Sequence, residues 1–77
     1  MKTDTKDARG EFFSLARKNN YPESMIMFIG TICSSPQIHE NGYSTIEAFA
    51  IAKKFVEKGK TASETVIELM KISNVIE

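Results

Sequence analysis

Two short stretches of this sequence carry the same local instruction. In "STIE" (residues 44–47) and "TASE" (residues 61–64) a hydroxyl side chain is followed three positions later by a glutamate. The hydroxyl can accept a hydrogen bond from the glutamate's backbone N–H while the carboxylate turns back to the N–H of the hydroxyl residue. Two donors that a helix start leaves open are then satisfied together. Each stretch therefore predicts a helix that begins at a fixed residue. After Ser44, residues Ala48, Phe49, Ile51, Ala52, Phe55 and Val56 form a wide apolar face, and Lys53, Lys54, Glu57 and Lys58 form the wet side. The lysines at its end suit the negative pole of a helix, and Gly59 stops it near residue 58. After Thr61, Val66, Leu69, Met70 and Ser73 make one stripe, widened by Ile67, Ile72 and Ile76. With only Gly59 and Lys60 between them, the two helices must form an antiparallel hairpin or a sharply bent pair.

The first half of the chain predicts two more helices. Over residues 7–19, Ala8, Phe12, Leu15 and Ala16 share one side, leaving Lys6, Arg9, Glu11, Arg17 and Lys18 for water. "KNNYPE" ends that helix: the asparagines suit a C-terminal cap, and Pro22 suits the first turn of the next helix. Over residues 22–34, Met25, Phe28, Ile29, Ile32 and Cys33 recur at helical spacing, and Ile26 and Met27 add apolar surface elsewhere. A helix apolar nearly all round is either central or exposes an adhesive face. Gly30 is disfavoured inside a helix by about 1 kcal/mol and is expected to mark a close helix approach. "MIMFIGTIC" is also compatible with a strand, but the 3.6-residue period and the helical neighbours favour a helix. "SSPQIHENGYS" (residues 34–44) is predicted to be a loop, because Pro36, Asn41 and Gly42 break regular structure. The expected fold is all-α, a small bundle of four short helices whose last two form a capped helical hairpin. It is one domain over residues 1–77, with residues 1–6 disordered.

At 77 residues the chain buries only about 60% of the surface its unfolded form exposes, so a partner or a second copy could add much stability. Ten Lys/Arg balance ten Asp/Glu. Zero net charge argues against a generic polyanion binder and against an acidic mimic of DNA, and it gives little protection against self-association. The one cysteine, Cys33, excludes an intrachain disulfide and suits a reducing compartment. The start "MKTDTKDARGEFF" has no apolar signal core, and "MIMFIG" is far short of the ~20 residues that span a bilayer. The expected location is the cytoplasm, with no membrane partner. Isoleucine outnumbers leucine and lysine outnumbers arginine, the bias that AT-rich coding leaves and that suits a low-GC bacterium or its mobile elements.

"GKTASETVIELMKIS" (residues 59–73) resembles the pattern G-x-S/T-x-x-E-I-A-x-x-L-x-I-S of response-regulator and sigma-factor DNA-binding domains. Gly59, Thr61, Glu64 and Leu69 match it. Val66 stands where the pattern has a small alanine, and "MKIS" is one residue long for its end. In that register the recognition helix would follow residue 77. The other register makes the third helix the first of a helix-turn-helix and the fourth the reader, aiming Ala62, Ser63, Thr65, Glu68 and Lys71 at a DNA groove. Only one of those is cationic, whereas phosphate contacts need Lys or Arg. The candidate nucleic-acid contacts are Lys53, Lys54, Lys58, Lys60 and Lys71. Against them, Glu57 and Glu64 offer i, i+4 partners to Lys53 and Lys60, as on any solvated face.

His39 beside Glu40, with Cys33 upstream, falls short of the four ligands of a structural zinc site, so no metal is expected. Cys33 on an apolar helical pattern reads as packing, and no catalytic residue or cofactor is expected. The favoured function is a small non-enzymatic regulator or inhibitor of bacterial, phage or plasmid type that binds another protein through an apolar helix face. Met25, Met27, Phe28 and Ile29 are its expected contacts, with Lys53 and Lys54 at the rim. A homodimer is the commonest form of such an interface. The alternative is a small helix-turn-helix-like transcriptional regulator that reads DNA as a dimer.

Overall fold

The computed structural model describes residues 8–73. They form five helices: α1 (Ala8–Lys18), α2 (Glu23–Cys33), α3 (Pro36–Glu40), α4 (Thr45–Glu57) and α5 (Ala62–Ile72). The expectations for residue 7 in the first helix, for Ile76 in the last stripe and for disorder over residues 1–6 fall outside the described residues.

Local chemistry sets the helix ends. Both capping boxes form: the Ser44 hydroxyl accepts from the Glu47 N–H at 3.1 Å and Glu47 Oε1 accepts from the Ser44 N–H at 2.8 Å. Thr61 and Glu64 do the same at 3.1 and 2.9 Å. Three helices stop in one way. Asn20, Gly42 and Gly59 have φ of 66°, 92° and 86°, the left-handed region that a glycine or asparagine enters at least cost. Behind each, two backbone bonds close the last turn. Tyr21 N–H donates to Ala16 O and Asn20 N–H to Arg17 O, both at 3.0 Å. Tyr43 and Gly42 donate in the same way to Ile38 and His39, and Lys60 and Gly59 to Phe55 and Val56. Pro22, Ser44 and Thr61, two positions after each left-handed residue, are extended N-caps of the next helix. Pro22 thus precedes the first turn that the sequence suggested for it.

The segment expected to be a loop contains α3. Pro36 sits at its first turn, where the missing N–H loses nothing, and Ile38 is fully buried. The Asn41 side chain donates to Gln37 O at 2.8 Å and to Ser73 O at 3.1 Å, tying this single turn to the end of α5. The described residues therefore form five helices rather than four.

α1 packs chiefly along α4, and α2 along α5, so α4 and α5 touch each other but rest mainly on the first half of the chain. Small residues on the buried faces, Ala8, Ala16, Ala48 and Ala52, let α1 and α4 approach closely. The Phe12 and Phe49 rings fill the space at 5.9 Å between centroids, and Phe13 meets Phe49 edge-on at 5.8 Å. Lys53 reaches Glu11 across the two helices at 3.0 Å. Tyr21 pins the α1–α2 turn to the α4–α5 turn: its hydroxyl donates to Lys60 O at 2.5 Å and lies 3.0 Å from Thr65 Oγ1. The Thr65 proton is then shared between Thr61 O and the tyrosine oxygen. Among the described residues no buried side-chain polar atom lacks a hydrogen-bond partner.

Candidate docking groove

α2 turns Ile26, Ile29, Ile32 and Cys33 into the core. Its outer side carries Ser24, Met27, Phe28, Thr31 and Ser34. Met27 is 69% exposed and Phe28 43%, the former the most exposed large apolar side chain described. Of the four contacts expected on this helix, Met27 and Phe28 face solvent and Met25 is half-buried against the core. Ile29 is 0% exposed. It is a core residue in this fold, because α2 packs its Ile26–Ile29–Cys33 side, rather than a Met25–Phe28 side, onto the other helices.

Beside Met27 the surface sinks into an open groove of about 530 Å³, bounded by α1, α2, the start of α3 and α4. Phe13, Phe49 and Met27 supply its apolar lining, and Thr31, Ser34, Ser35 and Pro36 its edge. Arg9 is the one charged residue among the described lining, and its guanidinium stands over the Phe13 ring at 5.5 Å. Gly30 lies along the groove. A Cβ added there would meet Phe13 Cζ at 3.7 Å, Phe13 Cε1 at 3.8 Å and Phe49 Cζ at 3.9 Å. Those are ordinary contacts with ring atoms, so Gly30 does not mark the close helix approach expected of it.

The lysines expected at the rim lie elsewhere. Lys53 is held between Glu11 at 3.0 Å and Glu57 at 4.0 Å. Lys54 borders a separate shallow depression on α4 with Tyr43, Glu47, Ala50 and Ile51. The charge at the groove comes instead from α1. Arg9 and Phe13 escaped the sequence reading because they flank the buried stripe of their own helix. Their one trace in the sequence is a cation and an aromatic ring at i, i+4.

Several residues of the alternative reading are buried or already engaged. Of the five that would face a DNA groove from α5, Ala62 and Thr65 are buried. Lys71 lies 3.9 Å from Glu68, Lys60 lies over the Phe55 ring at 6.0 Å, and Lys58 is exposed at the end of α4. The expected pairing of Lys60 with Glu64 gives way to the capping box, which occupies the Glu64 carboxylate.

Cys33 is fully buried, and burial pushes its thiol up to about 12, so it stays protonated at neutral pH. His39 is exposed on α3 with Nε2 3.1 Å from Thr45 Oγ1. No group of three or more His, Cys, Asp or Glu side chains gathers at a metal-binding distance among the described residues. No described helix is long and apolar enough to cross a membrane. No protein-family model, curated protein or solved structure matches this chain.

Proposed function

We propose that this chain is a non-catalytic protein-binding module that receives an apolar side chain of its partner in the groove beside Met27. The observation that carries this reading is Gly30. A glycine inside a helix is disfavoured against alanine by about 1 kcal/mol. Packing does not require it, since the added Cβ would sit 3.7–3.9 Å from its neighbours. Its φ lies outside the left-handed range, so the backbone does not require it either. What glycine does provide is an uncovered stretch of helix over the rings of Phe13 and Phe49. A stability loss without a structural reason is what a binding site produces. The exposed Met27 and Phe28 next to this recess are the kind of anchors that helix-face docking uses.

A regulatory or inhibitory role in a bacterium, phage or plasmid, in the cytoplasm, is the setting that the small size and the Ile- and Lys-rich composition support. Nucleic-acid binding has less support, because Lys53 and Lys71 stand beside carboxylates, Lys60 lies over the Phe55 ring, and Ala62 and Thr65 of the would-be reading face are buried.

The test is photo-crosslinking with p-benzoylphenylalanine in place of Met27, in the cells that produce the protein, with the same probe in place of the exposed Lys18 as control. A discrete adduct from position 27, lost on Gly30→Leu and not formed from position 18, is the expected result. No discrete adduct from position 27 would remove the docking reading.

A further inference from the structure

We infer that the occupant of the groove is a second copy of this chain, docked through an antiparallel pair of α2 helices; this rests on the groove being a docking site. Glu23, Met27, Gly30 and Ser34 follow one another at i, i+4, i+7 and i+11, so they lie along one line of α2, and Met27, Gly30 and Ser34 of that line border the groove. That line has a projecting apolar side chain at Met27 and, one turn on, a missing one at Gly30. Turned end for end about an axis between Phe28 and Ile29, it sets Met27 of each copy over Gly30 of the other. A knob and a hole on one patch, exchanged by a two-fold axis, are what an isologous interface needs.

The same register settles the charges. It places Glu23 of one copy opposite Ser34 of the other, and Arg9 lines the groove together with Ser34. Glu23 is fixed for this role: Arg17 holds it through contacts at 2.9 and 3.3 Å, and that hydrogen bond keeps its carboxyl below the ordinary value and ionised. Its side chain remains 65% exposed. Each copy thus offers a carboxylate at the start of α2 and a guanidinium beside its end, and the symmetry pairs them twice. Between Glu23 and the end of α2 no residue is charged, and the Glu23 carboxylate lies between the Arg17 that holds it and the Arg9 of the other copy. Zero net charge adds no long-range repulsion between copies.

The closing experiment is light scattering after size exclusion on the full chain over a tenfold range of concentration, for the natural sequence and for Arg9→Gln, Glu23→Gln and the double variant. Far-UV circular dichroism checks that each is folded. The natural chain should run at twice its mass at the upper end of the range. Each single change should weaken the dimer by about tenfold, as both pairs lose a partner, and the double variant should lose no more than either single one, since the pair is already broken. Met27→Asp, at an exposed position, and Gly30→Leu, which fills the hole, should each give a folded monomer. A natural chain that stays monomeric overturns the inference, and so do single changes without effect or a double variant whose loss is the product of the two. The crosslink separates this failure from that of the groove itself. An adduct of other than twice the chain mass keeps the docking site and overturns self-association, whereas no adduct overturns both.

Discussion

Replacing Gly30 by alanine should make the protein more stable and less able to associate. The methyl group enters space 3.7–3.9 Å from three ring carbons, contact without compression. The gain from helix propensity is about 1 kcal/mol, arising largely from the freedom that glycine has in the unfolded chain. Contact of the new methyl with Phe13 and Phe49 adds a few tenths of a kcal/mol at most, since the site is an open groove. For a domain of this size about 1 kcal/mol corresponds to a rise of roughly 4–8 °C in midpoint temperature. The measurement is urea and thermal unfolding followed by circular dichroism, at dilutions where both proteins are monomeric, because association would add its own stabilisation. Light scattering of the same samples, concentrated, reports the second effect: the dimer of Gly30→Ala should be weaker than that of the natural chain. A loss of stability would refute the claim that packing leaves room at this position. A gain in stability with unchanged association would refute the functional account of Gly30, since the recess would then serve no contact.

Other substitutions follow from single contacts. Tyr21→Phe removes the donor to Lys60 O and the partner of Thr65, and should lower unfolding stability by about 1–2 kcal/mol in urea titration. Ser44→Ala and Thr61→Ala should each lower it by about 1 kcal/mol, and the double variant by close to their sum, because the two caps share no partner. Cys33 should react with a thiol reagent at pH 8 only as fast as the chain opens, so that sub-denaturing urea speeds labelling and a fast native rate would contradict its burial. Because the folded thiol is raised from 9.0 to about 12, an unfolded chain loses this proton first. Stability from this group is therefore intact below about pH 9 and declines as pH rises toward 12, and Cys33→Ser should flatten that part of the pH profile.

What could be foreseen from sequence was what neighbouring residues decide among themselves. The capping boxes at Ser44 and Thr61 and the stops at Asn20 and Gly59 need only residues within one turn of themselves, and they appear where the sequence put them. α3 was missed for the same physical reason: in a single turn the start and stop signals, Pro36, Asn41 and Gly42, are nearly the whole element, and they spell a loop as readily as a helix. What holds that turn is Ile38 in the core and Asn41 on Ser73 O, contacts with distant residues.

The groove was half-visible for a related reason. Residues 25–29 are five large apolar side chains in a row, so α2 has no face that sequence alone can name as the inside. The helical period fixes the angle between Met27 and Ile29 but not which of them turns inward. Packing against α4 and α5 makes that choice: it buries Ile26 and Ile29, and Met27 is left outside by the same rotation. A polar residue at position 27 would satisfy the monomer better at that exposure, as glycine is a poorer choice than alanine at position 30. The two unfavourable choices lie one turn apart on the same line of the helix, one adding apolar bulk and the other removing it. Separately each is a defect of the isolated chain. In the antiparallel pair we propose, the bulk of one copy would fill the gap in the other, and both choices would have one cause.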